Sequence, residues 1–84
     1  MAYRIIRLPE VCAKTGRPKS TLYDLIAKGL FPRPIKIGLR TSAWVDGEPD
    51  AINAAYAKGQ SEDDIRQLVK ELEAARTADR VVRQ

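Results

Sequence analysis

Histidine is absent from these 84 residues, and cysteine, methionine, tryptophan and phenylalanine occur once each. Without histidine there can be no Ser-His-Asp triad and no His-rich metal site. A single cysteine, Cys12, allows no intrachain disulfide. Because it lies inside an apolar pattern, it reads as a small packed side chain rather than a reactive thiol. No apolar run approaches the roughly 20 residues that cross a bilayer, and the opening MAYRIIRLPE lacks the apolar stretch of a secretory signal. The expectation is a cytoplasmic protein with no cofactor, no metal and no catalysis. A chain this short buries roughly 60% of its unfolded surface, so one domain with a thin core is expected.

Acidic residues are scarce in one half only. Residues 1–46 hold nine Lys/Arg (Arg4, Arg7, Lys14, Arg17, Lys19, Lys28, Arg33, Lys36, Arg40) against Glu10, Asp24 and Asp46, a charge of +6; residues 47–84 carry −2. A compact basic half beside a mildly acidic one points to a polyanionic partner for the first half, or else to a merely soluble basic surface.

Local pattern organises the chain into short elements. Residues 3–7 read as extended, and Leu8-Pro9-Glu10 as a helix start with Pro in the first turn and an acid at the positive end. Leu8, Val11 and Cys12 form its stripe, and Gly16 ends it. After Arg17-Pro18, a second helix opens near Lys19 or Ser20, buries Leu22, Leu25 and Ile26, and closes at Lys28-Gly29. Two short helices about four residues apart match a helix-turn-helix.

The period then changes. Ile35–Ile37 and Ser42–Val45 read as strands joined by Gly38-Leu39-Arg40-Thr41. Such a hairpin is marginal alone, so Ile35, Ile37 and Trp44 are expected to pack on the helices. Asp46–Asp50 opens a third helix with the face Ala51, Ile52, Ala55 and Tyr56, ending at Lys58-Gly59. Ser61 and Asp64 form a capping-box-like start to a fourth. That helix is expected to reach about Arg76 with Ile65, Leu68, Val69, Leu72 and Ala75 on one stripe, leaving residues 77–84 frayed. The fold class is mainly α with a small β-hairpin.

The run Arg7–Trp44, RLPEVCAKTGRPKSTLYDLIAKGLFPRPIKIGLRTSAW, resembles the AlpA family of prophage transcriptional regulators, which belongs with the excisionase and MerR-like winged helix-turn-helix proteins. The likeness rests on LPEV, TG, ST-x-Y, the Gly closing the second helix, FP-x-P, a basic G-x-R turn and the following Trp44. It implies a winged helix-turn-helix, which we expect to occupy residues 1–59; the C-terminal helical extension expected over 60–84 runs past the shared core. It also implies that the helix near 19–28 enters the major groove of double-stranded DNA, with Lys19, Ser20, Thr21 and Tyr23 in contact, and that the hairpin is a wing bearing Lys36 and Arg40. Where the family often has a basic residue this chain has Asp24, which either repels phosphate or reads a cytosine amino group.

Short donors such as Ser20 and Thr21, with Lys19 for guanine, suit base edges; the alternative for Ser20 is a helix cap with no DNA role. Tyr23 is either a phosphate contact or a partly buried edge of the core. Arg40 either reaches the DNA backbone or a narrow minor groove, or keeps a hairpin edge soluble. Arg17, Lys28, Arg33 and Lys36 are candidate phosphate clamps, and Trp44 reads as the anchor of the hairpin. The C-terminal helix packs on its own domain or forms a homodimer seam that sets two recognition helices on neighbouring half-sites. The function expected is sequence-specific transcriptional regulation in a phage or mobile element, with RNA polymerase as a protein partner. One alternative is an excisionase-type factor that bends DNA for a recombinase. The other is a protein–protein adaptor working through the C-terminal stripe.

Overall fold

The computed structural model describes residues 4–82, with the side chains of the last helix described as far as Thr77. Strand β1 (Ile5–Arg7) runs directly into helix α1 (Leu8–Thr15). Pro9 occupies the first turn, where its missing N–H leaves no hydrogen bond unmade, and Gly16 stops the helix in the left-handed region at φ +67°. From there the Gly16 amide donates back to the Cys12 carbonyl at 2.9 Å. Helix α2 (Lys19–Ala27) follows, with Pro18 as its N-cap in an extended conformation. Ser20 therefore lies inside the first turn and caps nothing, because the fixed φ of Pro18 sets the boundary two residues earlier. Gly29, at φ +77°, reverses the chain after α2 and lets the Leu30 amide donate to the Leu25 carbonyl at 2.8 Å. This C-terminal motif turns Leu30 into the core, where it is buried.

Strands β2 (Ile35–Lys36) and β3 (Ser42–Val45) form the hairpin, and β1 joins it to give a three-stranded antiparallel sheet in the order β1-β3-β2. Ile6 stands opposite Trp44 in the β1–β3 register, and both are buried. Three strands with one covered face overcome the marginality of a lone hairpin. Ile37 departs from expectation. Its amide still donates to the Thr41 carbonyl at 3.1 Å, but its side chain is 52% exposed, since the ladder ends at Lys36 and the tip projects past the helices.

Helix α3 (Gly47–Ala57) and helix α4 (Glu62–Val82) complete the domain. The Asp64 amide donates to Ser61 Oγ at 3.1 Å, the capping bond that starts α4. Residues 77–82, expected to fray, continue the helix in the backbone; Thr-Ala-Asp-Arg-Val-Val contains neither glycine nor proline to break it. Ile65 and Val69 are buried in one core with Ile6, Val11, Leu22, Leu30, Phe31, Trp44, Ile52 and Ala55. Arg66 and Glu73 fasten α4 further: Arg66 Nε donates to the Lys28 carbonyl at 2.9 Å, and the Arg33 amide donates to Glu73 Oε2 at 2.8 Å. Among the described residues, no helix is long and apolar enough to cross a membrane.

A polar clasp ties α1 to the start of α3. Lys14 Nζ donates to Asp46 Oδ1 at 2.6 Å and lies 3.1 Å from Asp50 Oδ2, while Arg4 Nη1 donates to Asp46 Oδ2 at 3.1 Å. The Lys14 ammonium holds the Asp46 carboxyl below its ordinary value of 3.8, against the opposing pull of partial burial, and Arg4 adds to it. A carboxylate with a depressed folded pKa stabilises the fold above its unfolded pKa and loses that contribution as pH falls through the folded value. Asp46→Asn should therefore lower the thermal midpoint at neutral pH. The gap to the native chain should close as the pH drops through and below 3.8. A gap that persists unchanged at pH 2 would contradict this assignment.

Candidate nucleic-acid interface

The exposed face of α2 and the wing meet along one open groove. Lys19, Ser20 and Thr21 occupy the first turn of α2 and are all exposed, while Leu22 beside them is fully buried and fixes which way that turn faces. The turn holds no acidic side chain and no side-chain cap. Its leading amide N–H groups therefore add the positive end of the helix dipole to the Lys19 charge.

The wing is held against this helix by a hydroxyl. Ser42 Oγ accepts from Tyr23 Oη at 3.3 Å and from Lys36 Nζ at 3.0 Å. Lys36 and Ser42 are cross-strand partners, so the register of the hairpin itself sets this contact. Deeper anchorage comes from Trp44, whose Nε1 donates to the Pro32 carbonyl at 2.8 Å and whose ring meets Phe31 edge-on, 6.1 Å between centroids. Between helix and wing lies a groove of about 200 Å³. Lys19 and Tyr23 line it from α2, Arg40, Thr41 and Ser42 from the wing, Arg7 from the end of β1, and Leu8 and Pro9 from the start of α1.

The pattern of ion pairs sharpens this geometry. Of the nine cations in residues 1–46, four are neutralised: Arg4 by Glu10 and Asp46, Lys14 by Asp46 and Asp50, Lys28 by Asp24, and Arg33 by Glu73. The other five, Arg7, Arg17, Lys19, Lys36 and Arg40, make no ion pair among the described residues. Arg7, Lys19 and Arg40 line the groove, and Lys36 stands at its Ser42 wall. A concave site bordered by three cations, a phenol and two hydroxyls, and free of carboxylates, has the chemistry to receive phosphate oxygens.

The candidates read from sequence are thus divided. Lys19, Tyr23, Lys36 and Arg40 come together at the groove, with Ser20 and Thr21 on the adjoining turn. Arg17 turns elsewhere, its guanidinium 4.8 Å from the centroid of the Tyr56 ring on α3. Lys28 lies at the far end of α2, about 13 Å from Lys19 by helical rise. It is paired with Asp24 at 2.9 Å, and that carboxylate raises its pKa. The same pair neutralises Asp24, so the acid that departs from the family pattern presents no isolated negative charge. Arg33 is held on the opposite flank. Burial works to raise the Glu73 carboxyl, and the Arg33 guanidinium and amide overcome it and keep Glu73 ionised below its ordinary range.

Arg7, Thr41 and Ser42 were not legible as site residues. Arg7 joins the groove because β1 pairs with β3 and ends there, a pairing across nearly 40 residues that leaves no local signal. The alternation of Ser42 with buried Ala43 was a weak clue that its hydroxyl faces outward.

Residues 4–51 match the family described as "Prophage CP4-57 regulatory protein (AlpA)". The chain is 39% identical over 57 residues to "Uncharacterized protein ORF88" of Enterobacteria phage P4, a match spanning 68% of this chain and 65% of that protein, just under two thirds of its length. It is 34% identical over 55 residues to "DNA-binding transcriptional activator AlpA" of Escherichia coli (strain K12), covering 58% of this chain and 79% of that one. No solved structure matches significantly. The matched span contains α1, α2, the whole sheet and every residue lining the groove. On that match, and on a mainly helical fold whose small antiparallel sheet is that of a winged helix-turn-helix, the chain belongs to the AlpA family of prophage regulatory proteins.

Proposed function

We propose that this chain binds double-stranded DNA and regulates transcription in a phage or mobile element, with α2 in the major groove and the wing on the adjoining backbone. The observation that carries this reading is the segregation of charge. Of the nine cations in residues 1–46, the five away from the groove are paired with carboxylates except for Arg17, which lies over the Tyr56 ring, while Arg7, Lys19, Lys36 and Arg40 around it make no ion pair among the described residues. Similarity to an activator named as DNA-binding supports the same conclusion. Ser20 and Thr21 stand where side chains close to the backbone reach base edges, and Tyr23 and the cations supply phosphate contacts. The DNA-binding reading is favoured over the adaptor alternative by Ile65 and Val69 of the α4 stripe, which pack in the chain's own core. Residues 1–59 act as the DNA-binding unit in this reading and 60–84 as a brace packed on it.

Salt dependence tests the proposal. With about four to six phosphate contacts, log K for a pool of random duplexes should fall against log[salt] with a slope of roughly −4 to −5. A flat response, or no retention of duplex at low salt, would overturn the reading. Arg40→Ala should weaken binding to every sequence and flatten the slope by about one unit, whereas Ser20→Ala or Thr21→Ala should change which sequences are selected. Arg33→Ala supplies the contrast: its charge is committed to Glu73, so affinity and slope should both stay as they are. If Arg33→Ala weakened binding as much as Arg40→Ala did, the division between paired and unpaired cations would carry no meaning.

A further inference from the structure

The tip of the wing carries an apolar side chain with nothing to cover it. Leu39 is 102% exposed, and Ile37 two residues earlier is 52% exposed. An exposed leucine is unremarkable on most surfaces, but this one is held in a defined place. The Ile37 amide donates to the Thr41 carbonyl at 3.1 Å and closes the turn beneath it. Ser42, joined to both Lys36 and Tyr23, fixes the base of that turn against α2. The wing therefore presents Leu39 at a set position relative to the helix. On one side stands Arg40, and at the base Lys36, neither paired with a carboxylate among the described residues.

An apolar tip with one unpaired cation next to it and another at the base of the same hairpin fits a surface that offers apolar contact within and anionic charge at its rims. The minor groove of duplex DNA has this form: sugar walls and base edges within, a phosphate line on each side. An acidic protein surface meets the cations but would need an apolar pocket set among its carboxylates to seat the leucine as well. We infer that Leu39 enters the minor groove next to the site of α2 and presses on the sugars and a base step, so that part of the affinity comes from deforming the duplex. The inference rests on the DNA-binding reading above and adds a contact that owes nothing to charge.

The test uses the full chain and duplexes recovered from a random 30-base-pair pool, some carrying 2-aminopurine at successive steps as a reporter of unstacking. Leu39→Ala should fold like the native chain, since a fully exposed side chain contributes no packing, and its thermal midpoint checks this. Its affinity should fall about tenfold, a difference of about 1.4 kcal/mol, while the slope of log K against log[salt] stays unchanged. The 2-aminopurine enhancement at one step should disappear. Arg40→Ala should show the converse, a flatter slope with the enhancement retained. A Leu39→Ala chain that binds and distorts DNA as the native chain does would overturn the inference and leave the DNA-binding reading intact. Failure of the native chain to hold any duplex would overturn both.

Discussion

A Trp44→Ala chain is expected to lose about 3–5 kcal/mol of stability, the cost of deleting a large buried aromatic side chain whose surroundings relax only in part. For a chain of this length the whole folding free energy is only about 4–13 kcal/mol, so the variant should be largely unfolded in mild urea. Trp44 has no exposed surface, and it meets three residues at once: Ile6 across the β1–β3 pair, and from the segment after α2 Phe31 edge-on and the Pro32 carbonyl through Nε1. Those partners explain the size of the effect. Removing the ring unpins β1 from the central strand, opens a cavity in a thin core and strands the Pro32 carbonyl, whose hydrogen bond among the described residues comes from the indole. Trp44→Phe separates these contributions. It keeps most of the apolar contact and loses the hydrogen bond, so its cost should be nearer 1–3 kcal/mol. Urea unfolding followed by circular dichroism measures both. A Trp44→Ala midpoint within error of the native value would mean the wing is not anchored as described.

That anchor was visible in the sequence, and the reason is instructive. Trp44 sits in a four-residue segment of strand character with a proline-stiffened entry upstream, so one tryptophan in a short chain had few roles open to it. The helix ends marked by Pro9, Gly16, Gly29 and Ser61 were equally legible, since these residues act through backbone conformation and capping, which depend on neighbours within a few residues. The end of α4, which carries no such marker, was placed too early. Long-range pairings were not. Residues 5–7 read as extended, yet nothing in them names β3 as the partner, so their pairing into the sheet went unseen and with it the place of Arg7 in the groove. The basic half was plain from composition. Which of its cations are free was hidden, because that depends on where folding sets Asp46, Asp50 and Glu73. Arg33 and Arg40 look alike as sequence; one is consumed by α4 and the other borders the groove.

Arg76→Ala is the second change with a large expected effect, about 3–5 kcal/mol, and it concerns a pairing that sequence gave no hint of. Glu48 appeared only as one of several acids crowding the start of α3, where the helix dipole favours it. In the fold it is 4% exposed, and its carboxylate takes two hydrogen bonds from Arg76 of α4, Nε to Oε2 at 2.7 Å and Nη2 to Oε1 at 2.5 Å. This fork-on-fork pair clamps the long helix across the domain, beyond the apolar contacts of Ile65 and Val69. Truncating the arginine leaves a desolvated carboxylate with the α3 dipole as its main compensation, which is why breaking such a pair costs more than the pair itself contributes. Arg76→Lys restores the charge without the planar fork and should recover only part of the loss. Replacing both partners, Glu48→Met with Arg76→Leu, removes the desolvation cost together with the attraction and should bring stability back to within about 1 kcal/mol of native or above it. Urea midpoints of the three variants decide the matter. If Arg76→Ala and the double replacement were equally destabilised, the contact would be serving as packing rather than as a charge pair. Because none of these residues lines the groove between α2 and the wing, the folded fraction of each variant should bind duplex with native affinity. A loss of affinity beyond the unfolded fraction would mean that α4 sets the position of the interface as well as the stability of the fold.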